Sequence, residues 1–418
     1  MPSNPKPKPP KQKMRIGIVT AWFERGAAYV SKQLRDSLAS EHEVYIYARG
    51  GETFAKDDPN WDQGYVTWGK QPLVTAVTAV HIKHFKNWIR HKNLDMVIFN
   101  EQHWWRAVLA ARETGVITGT YVDYYTQQTQ PCFEAYDFLI CNTLRHASVF
   151  KNHPQVIFIP WGTDTTTYKP ALKNPSQKVR FFHSAGMNPH RKGTDITLKA
   201  FSNLASNKSE LIIHSQKDIA LCFPQLNKLI ERLKANKQLK ILECTVTAPG
   251  LYHLGDIYVY PSRLDGIGLT LPEAISCGLP VIATDEPPMN EFFNSGFGVP
   301  IPVTSRSPRD DGYYWPEVEP CVDATTRAMQ QYIHMGDELL NQSRSARNYA
   351  ITKLDWSQNS KTLRHTLANM TRRKTYEITA ALNCIRDIEP QEQWTRERHP
   401  HLFRAIEKMR KFLPYPTQ

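Results

Sequence analysis

A chain of 418 residues exceeds what one hydrophobic core usually holds, and its 41% hydrophobic and 11% aromatic content excludes a largely disordered protein, so two domains are expected. The net charge of +12 sits at the ends: residues 1–13 carry four lysines and no acid, and residues 359–418 carry twelve Lys/Arg against six Asp/Glu. The body between holds only about +2, whereas a nucleic-acid-reading domain keeps its basic face on the folded core, so nucleic acid is disfavoured as a partner.

Residues 1–13 (MPSNPKPKPPKQK) read as a Pro/Lys-rich disordered arm. Its lysines lead into no apolar run of the signal-peptide kind, and no stretch approaches membrane-spanning length. A first series of β-rich runs then follows at 15–20, 43–47, 96–99, 116–121, 138–141 and 156–159. They are continuous in Val, Ile, Phe and Tyr, as strands buried on both faces require. Helical patterns at 28–38 and 80–90 lie between them, and such alternation predicts right-handed βαβ units with a parallel sheet. A polar, proline-bearing linker is expected at 168–178. The alternation then restarts at 179–183, 211–214, 240–242, 257–260, 281–283 and 298–301. The predicted architecture is α/β: two Rossmann-like, doubly wound parallel-sheet domains facing a central cleft, with C-terminal helices. The boundaries are a 1–13 arm, domains at 14–172 and 173–356, and a basic helical extension at 357–418. In that extension Ile378, Leu382, Ile385 and Ile388 share helical spacing, as do Leu402, Ile406, Met409 and Leu413. Such a helix either packs on the body or lies on an anionic membrane surface through Arg404, Lys408 and Lys411.

Absences narrow the chemistry. There is no phosphate-binding G-x-x-x-x-G-K-[ST], no G-x-G-x-x-G after the first strand, no G-x-S-x-G elbow and no D-x-D pair. His81 and His84, the nearest approach to a metal pair, are expected on the surface. The seven cysteines are odd in number and none is spaced C-x-x-C, which points to reduced thiols in a cytoplasmic protein.

Three segments carry chemistry. In residues 258–293 a strand ends at Tyr260 and a loop with Gly266 and Gly268 leads into a helix opening at Thr270–Pro272, with Thr270 as the expected cap. Free backbone amides at the carboxyl end of a strand bind anions and hydroxyls, and Asp265 and Glu273 flank this loop. In residues 183–193 (HSAGMNPHRKG), Arg191 and Lys192 project from a strand-to-helix loop, where two fixed cations suit a diphosphate. The third segment is residues 159–170 (IPWGTDTTTYKP).

In this order and spacing the segments resemble retaining glycosyltransferases of family 4, which have the GT-B fold. The P-x-G-x-D-x-x-x-F-x-P junction is matched by Pro160, Gly162, Asp164, Tyr168 and Pro170, and the K-G phosphate loop by Lys192 and Gly193. The E-x7-E element is matched by Asp265 and Glu273, and the [AS]-x-G-x-P-V-I run by residues 276–282. The similarity covers roughly residues 14–356.

The resemblance implies transfer of a sugar from a nucleotide-diphosphate-sugar to a hydroxyl acceptor, a glycan or lipid-linked glycan among the options, with no cofactor and no metal. Glu273 then binds the ribose hydroxyls, Lys192 the diphosphate, and the amides of Gly268 and Leu269 the sugar or phosphate. Asp265 stands beside the transferred sugar, where the family has Glu. Met187 stands where the family has an arginine, so Arg191 is expected to supply the second cation. On the acceptor side, Gly26 and Ala27 fill the loop after the first strand, Glu101 and His103 follow another strand end, and Asp123 stands where the family has a histidine. Trp104 and Trp105 either stack on sugar rings or pack in the core. The fold also admits a sugar-nucleotide epimerase, a non-catalytic sugar-nucleotide binder, or a transferase acting on nucleic acid or at a membrane.

Overall fold

The computed structural model describes residues 13–389 apart from 50–54, 73, 75, 173–175 and 205. Residues 1–12 of the expected arm, and the stripe Leu402, Ile406, Met409 and Leu413 with its flanking Arg404, Lys408 and Lys411, lie outside the described residues. The chain divides into two compact units. The first is built from the residues up to Cys141, Phe150–Ile157 and the described residues from Ser360 onward; the second from Asn142–Val149 and Phe158–Asn359.

In chain order the first sheet uses β1 (Arg15–Thr20), β2 (Glu43–Ala48), β3 (Val66–Trp68), β4 (Met96–Asn100), β5 (Ile117–Tyr121), β6 (Phe138–Cys141) and β7 (Val156–Phe158), in the order β3-β2-β1-β4-β5-β6-β7. The ladders from β3 through β6 are parallel, with Ile16 opposite Val44 on one side and Met96 on the other. Every residue of β4 and β6 is buried, which is why these strands read as unbroken apolar runs. α1 (Gly26–Leu38), α2 (Ile82–His91) and α3 (Trp105–Glu113) turn their apolar faces inward, α1 through Ala28, Val30, Leu34 and Leu38. His81 does not sit free on the surface: it caps α2 by accepting the His84 amide at 3.3 Å, while His84 Nδ1 lies 3.0 Å from the Tyr47 hydroxyl. Trp104 and Trp105 are both buried, Trp105 against Phe133 and Tyr136, so they are core residues rather than a sugar platform.

The second unit opens with the short α4 (Leu144–Val149). Its sheet is β8 (Val179–Gly186), β9 (Ser209–Ser215), β10 (Leu239–Glu243), β11 (Ile257–Tyr260), β12 (Val281–Thr284) and β13 (Gly298–Ile301), ordered β10-β9-β8-β11-β12-β13 and parallel throughout. α5 (Thr194–Ser202), α6 (Ile219–Cys222), α7 (Asn227–Ala235), α8 (Thr270–Ser276), α9 (Val322–Ile333), α10 (Glu338–Lys353) and α11 (Trp356–Asn359) accompany it. The core runs from Phe181 and Ile213 through Ile257 and Ile282 to Met329 and Tyr332. Twelve strands fall where the sequence placed them. β3 was missed because its three residues are only half-buried, and so was an antiparallel hairpin of β14 (Val303–Ser307) and β15 (Glu317–Pro320). That hairpin carries a nine-residue loop in place of a short turn signal, and four of the five β14 residues are exposed.

The expected linker at 168–178 does not mark where the units part. The junction motif already belongs to the second unit: Thr163 bridges to Asp355, its amide donating to the Leu354 carbonyl at 2.8 Å. A Cβ on Gly162 would stand 2.2 Å from that same carbonyl oxygen, so only glycine permits the approach. The extension expected at 357–418 is likewise divided. α12 (Lys361–Leu367) and α13 (Thr379–Ile388) pack on the first unit, burying Leu363, Leu367, Ala381 and Ile385 together with Ile378 just before α13. Among the described residues no helix is long and apolar enough to cross a membrane.

The fully buried Asp137 ties that segment down. Its carboxylate accepts from Arg112 Nη1 at 2.5 Å, the Thr118 amide at 2.7 Å and the Arg373 amide at 2.8 Å. Asp137→Ala strands the buried Arg112 guanidinium, and a loss of about 3–5 kcal/mol in urea-unfolding stability is expected.

Candidate functional site

In each sheet the strand order reverses once, between β1 and β4 and between β8 and β11, and side chains beyond the carboxyl ends of those strands converge there. In the second unit, β8 runs into the 187–193 loop and β11 into the 261–269 loop. Gly193 welds the two. Its φ of 71° is left-handed, and a Cβ would stand 2.0 Å from the Pro261 carbonyl oxygen. Arg191 and Lys192 are thereby laid against the β11 loop. Lys192 Nζ donates to Asp265 Oδ2 at 2.6 Å and to the Tyr260 hydroxyl at 2.8 Å; Arg191 Nη1 donates to Asp265 Oδ1 at 3.0 Å. Ser262 Oγ donates to Oδ2 at 3.1 Å, and the Tyr260 hydroxyl also donates to it.

Burial alone would raise the Asp265 pKa, but the Lys192 and Arg191 charges and these hydrogen bonds hold it below the usual carboxylate range. Burial pulls Lys192 down, against the opposing pull of Asp265. The cluster therefore presents two cations to one carboxylate, a surplus that suits an anion. Its outer frame is Arg263, bidentate to Asp195 at 2.8 and 3.0 Å and joined to Glu319 of β15 at 2.7 and 3.0 Å. Met187, by contrast, is 61% exposed, and Arg191 occupies the cluster in its place.

Gly266 and Gly268 follow in the same loop, Gly268 with φ 77°. Leu269 is the N-cap of α8 and makes no side-chain cap; Thr270, the expected cap, is the first residue of the helix proper. Glu273, in the first turn of α8, accepts from the Tyr252 hydroxyl at 2.5 Å and from the Tyr168 hydroxyl. Burial pushes its pKa up to about 7 despite those two donors. It faces a cavity of about 140 Å³ lined by Tyr168, Phe182, Ser184, His214, Tyr252, Thr270 and the 246–251 segment.

In the first unit the loops after β1 and β4 and the second residue after β5 gather another polar group. Glu101 has φ 50°, a left-handed conformation rare for this residue, and is held from both ends. Arg49, buried, donates to the Asn100 and Glu101 carbonyls at 2.9 and 3.1 Å, while Arg25 pairs with the Glu101 carboxylate at 3.0 Å. Asn100 Nδ2 donates at 2.9 Å to the carbonyl of Ala27, which with Gly26 opens α1. His103 is an exposed residue overall, yet its side chain is enclosed enough, with Arg49 nearby, that its pKa drops to about 4. Its ring meets Tyr124 edge-on at 5.1 Å. Asp123 is half-buried, and burial with the Glu101 charge raises its pKa to about 8. Glu101, His103, Asp123, Gly26 and Ala27 thus share one rim of the first unit, and Lys192, Arg191, Asp265, Gly266, Gly268, Leu269 and Glu273 one rim of the second.

Sequence reasoning did not single out Tyr260, Ser262, Tyr252 or Arg263 in the second unit, or Arg49 in the first. The only available signal was position: Tyr260 ends a buried strand, and a hydroxyl there must find a partner just beyond it.

Two doubly wound sheets, each with polar groups at its switch point, define the GT-B class of fold expected from the sequence. Residues 178–327 match the family described as Glycosyl transferases group 1. Over 150 residues the chain is 29% identical to the lipopolysaccharide core biosynthesis mannosyltransferase LpsB of Rhizobium meliloti, a match that spans 32% of this chain and 42% of that relative's length. A glycosyltransferase structure from Rickettsia africae aligns with a TM-score of 0.69 at 16% identity, covering 85% of this chain and 98% of that one. Anabaena HepE, solved in complex with UDP, aligns at 0.66 and 15% identity, over 85% of this chain and 100% of its own.

Gly193→Ala tests the weld between the two loops. The left-handed backbone and the Pro261 contact together should cost about 2–4 kcal/mol, read from thermal unfolding with the ion-pair cluster otherwise unchanged.

Proposed function

We propose that this protein is an anomer-retaining, nucleotide-sugar-dependent glycosyltransferase that takes its donor in the second unit. The observation that carries the reading is the Lys192–Asp265–Arg191 cluster beside a glycine loop and the Glu273 pocket, within the stretch that matches a glycosyl transferase family. Glu273 accepts the ribose hydroxyls, and the nucleoside occupies the cavity walled by Tyr168, Tyr252 and the 246–251 segment. Lys192 and Arg191, fixed by Asp265, meet the diphosphate together with the amides of Gly268 and Leu269 and the start of α8. That placement puts Asp265 next to the sugar being transferred.

The transfer breaks the bond between the anomeric carbon and the diphosphate oxygen, whose electron pair leaves with the nucleoside diphosphate. An acceptor hydroxyl attacks on the same face through an oxocarbenium-like transition state, and its proton passes to the departing phosphate oxygen. The growing charge on that oxygen is what the two cations stabilise, so the reading needs no divalent ion. Asp123, Glu101, His103, Gly26 and Ala27 form the acceptor side, with Asp123 as the candidate for positioning the acceptor hydroxyl. The lipopolysaccharide enzyme that the chain resembles supports a glycan or lipid-linked glycan as acceptor.

Lys192→Ala and Glu273→Ala are each expected to lower kcat/KM by at least roughly 100-fold. Glu273→Ala keeps an unfolding temperature close to wild type, whereas Lys192→Ala, which leaves the buried Asp265 with Arg191 alone, unfolds at a lower temperature. Near-normal turnover in both would overturn the assignment, and strict metal dependence in EDTA-treated enzyme would overturn the role given to the cations. A thermal-shift screen of nucleoside diphosphates and their sugars identifies the donor.

The ionised Glu273 accepts both ribose hydroxyls, whereas the protonated acid has lost part of that capacity. Donor affinity should therefore be full above about pH 7 and weaken as pH falls through that value. Isothermal titration with Glu273→Gln should show weaker binding without this pH dependence.

A further inference from the structure

α4 comes from a part of the chain to which no chemistry was assigned, yet it is packed against the glycine loop within the second unit. Its first amides, Leu144 and Arg145, donate to the Glu291 carboxylate at 2.6 and 3.0 Å, which anchors the helix. The Arg145 side chain, 6% exposed, then spreads over three segments. Nη2 donates to the Asp265 carbonyl at 2.7 Å, Nη1 donates to the Pro287 carbonyl at 2.7 Å, and the guanidinium lies 4.8 Å from the Trp315 ring in the hairpin loop. The next residue, His146, is fully buried and hydrogen-bonded to the Gly266 backbone. Two neighbouring side chains of one helix thus hold two successive peptide groups of the loop.

In a planar trans peptide the C=O and the following N–H point in opposite directions. The peptides on either side of Gly266 are trans. With the Asp265 carbonyl drawn toward Arg145, the Gly266 amide must point away from α4, and the His146 bond steadies the next plane. Among the described residues neither the Gly266 nor the Ile267 amide donates to a backbone carbonyl.

We propose that Arg145, seated on Trp315, is a positioning residue that sets these peptide planes so that the loop amides meet the donor's sugar-diphosphate portion. The proposal rests on the glycosyltransferase reading. It predicts a defect in turnover rather than in nucleotide capture, because Lys192 and Glu273 are untouched. Arg145→Ala should bind the nucleoside diphosphate within about threefold of wild type by titration calorimetry while kcat falls roughly 100-fold. Added guanidinium ion should restore part of that kcat, and Arg145→Lys should fall between the two. Trp315→Leu, which keeps the arginine but removes its seat, should lower kcat roughly three- to tenfold, and serves if Arg145→Ala does not fold. Wild-type kcat in Arg145→Ala overturns the inference, as does a kcat loss that follows thermal destabilisation and does not respond to guanidinium. If the wild-type chain transfers sugar and these variants match it, only this inference falls. If the wild-type chain binds no nucleotide sugar, the functional reading itself fails.

Discussion

A carboxylate buried between an ammonium and a guanidinium is the constraint on which the second unit's chemistry depends. Asp265 has little access to water and could not remain ionised there unaided; Lys192 and Arg191 keep it so, and it keeps them in place. Each long cationic side chain would otherwise cost rotamer freedom whenever it ordered around a ligand. Holding them beforehand against Asp265 removes that cost and leaves one positive charge uncompensated within the cluster. Tyr260 and Ser262 complete the hydrogen bonding that such a buried group requires.

The backbone is positioned as deliberately as the charges. Gly193 allows the cationic loop to touch Pro261, and α4 grips the Asp265 carbonyl and the Gly266 backbone from the opposite end of the loop. Arg263 latches the same loop to Asp195 on α5 and to Glu319 on β15. A loop of two glycines is intrinsically the most entropically costly segment to order. Here it is fixed by side chains from α4, α5 and the hairpin, which explains how it can be both glycine-rich and well defined.

The first unit shows the same principle with different residues. Glu101 is kept in a left-handed conformation by Arg49 on its carbonyl and Arg25 on its carboxylate, and its charge helps raise the Asp123 pKa. Backbone strain of this kind persists only where the surroundings over-determine it. An aspartic acid with a raised pKa beside a largely neutral histidine forms an environment distinct from the cationic cluster of the second unit.

Burial on both faces writes a strand into the sequence as an unbroken apolar run, and even the partly exposed edge strands β7, β10 and β13 keep enough apolar residues to be seen, so twelve of the described strands and the two-sheet class were legible from residue order alone. The glycine loops, the cationic pair and the two carboxylates were legible too, because chemistry at a strand end needs those residue types close together in the chain. What sequence order could not disclose were partnerships across long separations. Arg145 and Asp265 are 120 positions apart, Arg112 and Arg373 261 apart, and Thr165 and Asp355 190 apart. Such pairs have no periodicity to betray them. They exist only once parallel crossovers have carried distant loops to one edge of a sheet, so the tertiary structure alone decided which cations face which carboxylate and which unit the chain's last described helices join.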